Sequence, residues 1–359
     1  MNDVIVRGAP AEYVIKPNAL TELEVKLSER GINRILLLSG IESWKAANQA
    51  FPALEEMNVH HEFYNNECTI EEINRISSLA SELNVQAIIG LGGGKVLDIT
   101  KAAAVAVHVK TVLIPTLASN CAPWTPISVI YKHDGTMTHY NIHPAGIDLL
   151  LVDPVILAAA PSPLLRAGIG DTLAKWYEAD VQIGRMQNPM PALEIAHFTA
   201  KKCADIMFEY GEQALLDAEN NVSSEAFIRV TEAIIMLGGM VGGFGDQYGR
   251  VAGAHAIHNG LTSAPESHRA LHGDKVAYGI LVQLLLEEKY NEIDRLLPFY
   301  KKIGLPVSLN DLHIPAHRID EIAKQSTISK ETIHVLKNRR ITAEETIEAI
   351  RRLETEYAL

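Results

Sequence analysis

Apolar positions follow two regimes along the chain. Up to about residue 150, short continuous apolar runs alternate with stretches of helical spacing. Residues 34–39, 87–91 and 111–115 read as buried strands, because continuous apolar strands suit a parallel sheet covered on both faces. Residues 41–56 and 70–84 read as helices. In the second, Ile70, Ile73, Ile76, Leu79, Ala80 and Leu83 recur at helical spacing behind Thr69, a good N-cap. Strands alternating with helices predict βαβ units. Beyond about residue 161 strand-like runs vanish. Amphipathic stretches then cover 163–184, 190–217, 223–242, 246–260, 268–291, 316–325 and 343–357. The expectation is an α/β domain over residues 1–160 and an all-helical domain over 161–359. Pro161 and Pro163 mark the division, and a cleft between the domains would suit a small-molecule site.

Length agrees with this division, since 359 residues at about 150 per domain gives two domains. Charge narrows the partners. Asp and Glu number 44 against 32 Lys and Arg, a formal net charge of −12, and a nucleic-acid binder would need a basic face instead. The three cysteines, Cys68, Cys121 and Cys203, form no CxxC pair, so neither a disulfide framework nor a zinc ribbon is indicated. The first residues lack the basic-then-apolar order of a secretory signal. No apolar run reaches the roughly 18 residues of a membrane helix. A cytoplasmic protein without membrane or nucleic-acid partners is expected. The 14 histidines are the unusual count.

The first chemical signal is Gly90-Leu91-Gly92-Gly93-Gly94-Lys95, where a buried strand runs through three successive glycines into a helix. Glycine allows a sharp turn and brings backbone N–H groups close to a ligand. A helix N-terminus offers unpaired N–H groups and a positive dipole end to an anion. A plain strand-to-helix turn rarely uses three glycines in a row, so a pyrophosphate is the expected occupant. The pattern is not GxGxxG, since Lys95 stands where the last glycine would be, and no Gly-Lys-Ser/Thr closes a P-loop.

The second signal lies in the helical half. Asp171 sits in Gly168-Ile169-Gly170-Asp171, and His255, His258, His268 and His272 follow within 18 residues of one another. A single such histidine is more often a hydrogen-bonded or surface residue. The cluster with a carboxylate suits zinc or another divalent ion, and three protein ligands would leave a position open for substrate. Spacing alone does not choose the ligands, since the pairs at i,i+3 and i,i+4 can each share a helix face.

The run Gly92-Gly93-Gly94-Lys95-Val96-Leu97-Asp98-Ile99-Thr100-Lys101 resembles the GGGxxxDxxK signature of the iron-containing alcohol dehydrogenase superfamily, nearest its glycerol dehydrogenase branch. Pro115-Thr116-Leu117-Ala118-Ser119, Leu151-Val152-Asp153, Ala167-Gly168-Ile169-Gly170-Asp171, His255-Ala256-Ile257-His258-Asn259-Gly260 and His272-Gly273-Asp274-Lys275 fall in the family's order, so the likeness covers nearly the whole chain. Within the branch, Cys121-Ala122-Pro123-Trp124-Thr125-Pro126 and Gly238-Gly239-Met240-Val241-Gly242-Gly243 look most like the hydroxycarboxylate dehydrogenases. The resemblance implies a dehydroquinate synthase-like architecture: an α/β dinucleotide-binding domain followed by an all-α metal-binding and catalytic domain. It implies a small-molecule substrate and a homo-oligomer. By position it makes Asp171, His255 and His272 the metal ligands, puts His258 on the nicotinamide side, and leaves His268 without a ligand role. Gly93, Gly94 and Lys95 would hold the pyrophosphate, with Asp98 near the nicotinamide part. Thr116 and Ser119 would contact the nucleotide, and Thr125, Ile127 and Tyr131 would line the nicotinamide pocket.

Three departures from the family pattern alter that picture. Iron-dependent members often carry a histidine four residues after the ligand Asp. Lys175 stands there, so zinc or another non-iron divalent ion is expected. NAD-specific members often carry an Asp after the second strand, where this chain has Gly40. Without that carboxylate a 2′-phosphate is not repelled, so NAD or NADP is expected, tilted toward NADP, with Lys45 the nearest base. Glycerol dehydrogenases carry an Asp in the loop where this chain has Cys121. That loss weakens the case for glycerol and removes a charge that would repel an anionic substrate. The expected reaction interconverts a small 2-hydroxy acid and its 2-oxo acid by hydride transfer. The metal would act as Lewis acid, with His258 a candidate proton relay and Cys121 a substrate-side candidate. A glycerol or other polyol dehydrogenase is the alternative. A dehydroquinate synthase-like lyase ranks lower, because the metal-bearing segments offer mainly Lys175, Arg250, Arg269 and Lys275 to grip a phosphorylated substrate. A non-catalytic nucleotide-binding protein fits the ligand set poorly.

Overall fold

The computed structural model describes residues 4–337 and 339–357. They form two compact units. One holds residues 7–161 with 217–231. The other holds 162–216, the described residues from 232 onward, and residues 4–6. The expected division at 160/161 therefore differs in two short segments. Val4 packs on an apolar cluster around Ala179, Leu193 and Val241, and the Ile5 N–H donates to Asp246 Oδ2 at 3.3 Å, which ties the start of the chain to the helical unit.

The α/β unit contains β1 (Tyr13–Ile15), α1 (Leu23–Ser28), β2 (Arg34–Ser39), α2 (Ile41–Ala47), β3 (Asn58–Phe63), α3 (Ile70–Glu82), β4 (Ala87–Gly92), α4 (Gly94–Ala106), β5 (Lys110–Pro115), β6 (Ile127–Tyr131), β7 (Met137–Ile142), β8 (Leu149–Val152) and α5 (Pro154–Ala158). Six strands make one parallel sheet in the order β1-β8-β5-β4-β2-β3. β6 and β7 form a separate antiparallel hairpin. Alternate residues of β2 supply opposite faces: Ile35 and Leu37 pack with Leu20, Leu23 and Leu27, while Leu36 and Leu38 pack with Ile73, Ile76 and Ile99. Burial on both faces is why these strands read as continuous apolar runs. From β2 the chain steps outward to β3 and then returns to β4 on the other side of β2. That reversal makes the carboxyl ends of β2 and β4 the switch point, where open α/β sheets bind ligands. Gly40 follows β2 there, and Gly93 follows β4.

The helix expected over 41–56 stops at Ala47. Pro52 disfavours the helical region for the residue before it, and β3 begins soon after. β3 was not expected, because Asn58-Val59-His60-His61-Glu62-Phe63 is an edge strand with one neighbour and carries no apolar run.

The remaining helices are α6 (Ser162–Ile183), α7 (Pro191–Glu219), α8 (Glu225–Glu232), α9 (Gly238–Gly245), α10 (Gln247–Arg250), α11 (Gly253–Leu261), α12 (His272–Leu286), α13 (Tyr290–Ile303), α14 (Ile319–Ser326) and α15 (Ala343–Arg352). The stretch expected over 246–260 breaks at Val251, which is extended. That over 268–291 starts only at His272 and is broken by Glu288, whose φ is +61°. α13 was not expected, because Pro298 lies inside it, although Ile293, Leu296, Tyr300 and Ile303 form its buried stripe. The segment Glu225–Gly245 is long and apolar enough to cross a membrane by length and composition, against the reading that no run reaches that length. Glu225, Arg229 and Glu232 interrupt it in sequence, a wide π turn at Ala233–Leu237 lies within the continuous helix, and about half of it is buried. α12 is buried on every side from Gly273 to Leu286, so it forms the axis of the helical unit.

Candidate active site

Small residues set how closely the metal-bearing helices approach. A Cβ on Gly170 of α6 would lie 2.7 Å from the Gly273 carbonyl oxygen, and one on Gly279 of α12 would lie 2.4 Å from the Ala254 carbonyl oxygen of α11. No side chain fits at either point, so α12 touches both neighbours backbone to backbone. Asp171, one residue after Gly170, is thereby brought to His272, one residue before Gly273. His255, one residue after Ala254, joins them.

The Nε2 atoms of both histidines face one carboxylate oxygen. His272 Nε2 lies 3.3 Å and His255 Nε2 lies 3.5 Å from Asp171 Oδ1. One ligand atom from each of these three residues lies within 4.8 Å of the others, as a divalent ion requires. His258 and His268 are not part of this group. His268 lies exposed in the turn Pro265–Arg269. His258 touches His272 instead, with its Nε2 2.9 Å from His272 Nδ1. His258 Nδ1 lies 3.2 Å from Asn259 Oδ1, so both ring nitrogens have side-chain partners.

Glu178 completes the centre and was not singled out in the sequence. It lies seven residues after Asp171, two turns along the same face of α6, and that spacing was the available signal. Its Oε2 lies 2.6 Å from His255 Nδ1, and its Oε1 accepts the N–H groups of Ala252 and His255 at 2.7 and 2.9 Å. Gln283 of α12 accepts the Ala254 N–H at 2.9 Å. The donors at the start of α11 are thus satisfied by α6 and α12, which fixes the direction of the His255 ring. With Nδ1 bound to Glu178, His255 Nε2 faces Asp171, and an ion that replaces the Nε2 proton would find the tautomer a metal ligand needs. Burial opposes a charge on His255, but Glu178 and Asp171 outweigh it and hold the metal-free ring up to about 9. Burial likewise opposes charge on Asp171, yet Lys175 and the two histidines hold its carboxyl well below the usual carboxylate range. Lys175 Nζ lies 3.6 Å from Asp171 Oδ2. An ammonium has no lone pair, so the position of the family's fourth ligand supplies charge balance here. Two neutral imidazoles with one carboxylate fit a divalent ion of zinc type.

In the α/β unit the glycine turn has a different basis from the one expected. None of Gly92, Gly93 and Gly94 has positive φ, and Gly93 sits at φ −86°. Space is what they provide: a Cβ would lie 2.9 Å from Val96 at Gly92 and 3.0 Å from Leu117 at Gly93. At Gly94 it would meet nothing nearer than Asn120 at 3.7 Å, so the start of α4 is open, and its first turn carries no acidic residue. Lys95 Nζ is engaged with Glu67 at 2.8 Å. Asp98 faces inward. It pairs with the buried Lys101 at 2.7 Å and accepts the Val129 N–H at 2.9 Å. Lys101 also donates to the carbonyls of Ala122, Thr125 and Ile127. The Asp98–Lys101 pair thereby ties α4 to the segment carrying Thr125, Ile127 and Tyr131. Thr116, buried after β5, donates its N–H to the Gly92 carbonyl at 3.1 Å, and Ser119 and Cys121 are half-buried in the following loop. Gly40 caps α2, and a Cβ there would press on Ser43 and Tyr64, each at 3.0 Å.

Residues 10–154 match the model of the family described as iron-containing alcohol dehydrogenase. The chain is 35% identical over 339 residues to hydroxycarboxylate dehydrogenase A of Escherichia coli (strain K12), covering 93% of each. It is 34% identical over 339 residues to a glycerol dehydrogenase of Citrobacter freundii, covering 91% of each. Among solved structures it resembles a probable glycerol dehydrogenase from Sinorhizobium meliloti 1021, with a TM-score of 0.87, 30% identity and 98% of each chain covered. Together with the carboxylate–histidine centre and the open glycine turn at the switch point, these likenesses make the chain a member of the iron-containing alcohol dehydrogenase family, an enzyme acting on CH–OH groups.

Proposed function

We propose that the enzyme interconverts a small 2-hydroxy acid and its 2-oxo acid, using NAD or NADP and a divalent ion, zinc, held by Asp171, His255 and His272. The observation that carries the choice of substrate is the loop against Gly94: Ser119, Asn120, Cys121 and Ala122 include no carboxylate that would repel an anion. The likeness to hydroxycarboxylate dehydrogenase A supports the same choice. The glycerol dehydrogenases among the relatives favour the second reading, a polyol dehydrogenase.

The bound ion would supply a Lewis acid for the reacting oxygen, and the nicotinamide would carry the hydride. The rest belongs to this chain. Glu178 holds the His255 ring, and Lys175 balances Asp171. The open start of α4 at Gly93, Gly94 and Lys95 receives the pyrophosphate, and Thr116 and Ser119 contact the nucleotide. Gly40 puts no carboxylate at the position directly after β2, on the adenosine side. Asp98, through Lys101, positions Thr125, Ile127 and Tyr131 for the nicotinamide, and Cys121 is the substrate-side candidate of this unit. The test is a spectrophotometric screen of 2-oxo acids, glycerol and simple aldehydes, with the reduced and oxidised forms of NAD and NADP in parallel. Fastest turnover of a 2-oxo acid is expected. Faster turnover of glycerol with NAD overturns the acid reading in favour of the polyol one.

A further inference from the structure

The contacts behind His272 run on past His258. His272 Nδ1 lies 2.9 Å from His258 Nε2, His258 Nδ1 lies 3.2 Å from Asn259 Oδ1, and Asn259 Nδ2 donates to Glu331 Oε2 at 2.9 Å. Read from their outer end, with an ion at the inner end, these contacts have one consistent direction for the protons. Glu331 as a carboxylate only accepts, so Asn259 presents its NH2 to Glu331 and its Oδ1 to His258. His258 then carries its proton on Nδ1 and accepts at Nε2. His272 would therefore carry its proton on Nδ1, which leaves Nε2, the nitrogen beside Asp171, free to hold an ion in place of a proton.

Resting on the metal-site reading above, we propose that Glu331, Asn259 and His258 form an outer chain that fixes the tautomer and orientation of His272, as Glu178 does alone for His255. Glu331 lies in the segment before the short turn Thr332–Leu336, and Thr332 Oγ1 donates to the Ala252 carbonyl at 2.7 Å. That bond anchors the segment to the start of α11, which carries both His255 and Asn259. Glu331 is thus a positioning residue, acting on the centre through two others.

The test is zinc affinity, measured by competition with a chromophoric chelator on protein first stripped with EDTA. Asn259→Ala and Glu331→Ala should each weaken zinc by about tenfold, the lower end of the usual effect of removing an outer partner. Thermal melting of the stripped proteins separates this effect from loss of fold. Asn259→Asp alone sets two carboxylates against each other and should weaken zinc further. Adding Glu331→Gln to Asn259→Asp restores a hydrogen bond, now donated from position 331 to position 259, whose carboxylate still accepts from His258 Nδ1, and should recover most of the affinity. Rescue by the double variant is the outcome that a merely structural role would not give. Unchanged affinity in both alanine variants, with Glu178→Ala still weakened, overturns the chain and leaves the metal site standing. An unaltered protein that binds no divalent ion overturns both.

Discussion

Gly273 lies so close to α6 that a Cβ on it would stand 1.8 Å from the carbonyl oxygen of Ala167. This contact holds the first turn of α12, and with it His272, beside Asp171. Gly273→Ala cannot be absorbed by a rotamer change, because the opposing atom is backbone. Overpacking of a tight core costs about 1–3 kcal/mol, and here the relief must move α12 itself. Urea unfolding should show a loss at or above that range. Zinc affinity should fall even where the variant still folds. Unchanged stability and affinity would mean that the two helices adjust without cost.

Glu178 accepts two backbone N–H groups and faces one ring nitrogen while almost fully buried. Glu178→Ala leaves these donors without a partner, and each unsatisfied buried group costs about 1–3 kcal/mol. Glu178→Gln keeps one acceptor and should be milder. Zinc affinity should fall by roughly 10- to 100-fold in the alanine variant. Equilibrium dialysis against zinc measures this directly. An alanine variant that holds zinc as tightly as the unaltered protein would remove Glu178 from the centre.

The sequence made some of this legible and hid the rest for physical reasons. β2, β4 and β5 were readable because both of their faces are buried. β3 was hidden because an edge strand can be polar, and α13 because Pro298 lies within it. Asp171 and the histidine cluster stood out by composition, but spacing did not separate His255 and His272 from His258 and His268. That separation came from the resemblance; in the structure Asp171, His255 and His272 converge, while His258 lies behind His272. Glu178 could have been found from its place two turns beyond Asp171. Glu331 could not, because 72 residues separate it from Asn259 and only the folded chain joins them.

Gly94 is the reverse case to Gly273, since a Cβ there meets only ordinary neighbours. Gly94→Ala should leave the melting temperature unchanged or slightly raised, because alanine is the better helix former. If a pyrophosphate rests on the first turn of α4, the added methyl would stand in its place. The dissociation constant for the reduced dinucleotide, read by fluorescence titration, should rise on the order of tenfold, or about 1.4 kcal/mol. Unaltered binding would remove the glycine turn as the pyrophosphate site.

His143 gives the α/β unit a pH dependence of its own. The ring is buried, with Nε2 2.7 Å from Ser128 Oγ. Burial, and then the nearby Lys101 charge, push its pKa down to about 4. In the unfolded chain a histidine titrates near 6.5. Between those values the unfolded state takes a proton that the folded state refuses, so stability rises with pH across the window. The folded state is unpenalised above about 6.5, loses stability as pH falls toward 4, and loses no more from this group below that. The whole span amounts to about 3 kcal/mol. His143→Gln keeps a partner for Ser128 and removes the titration. Urea unfolding of the metal-free proteins at pH 7.5 and 4.5 should therefore show a larger loss in the unaltered protein, by about 2–3 kcal/mol. Equal losses in the two proteins would show that His143 takes its proton in the folded state as readily as in the unfolded one.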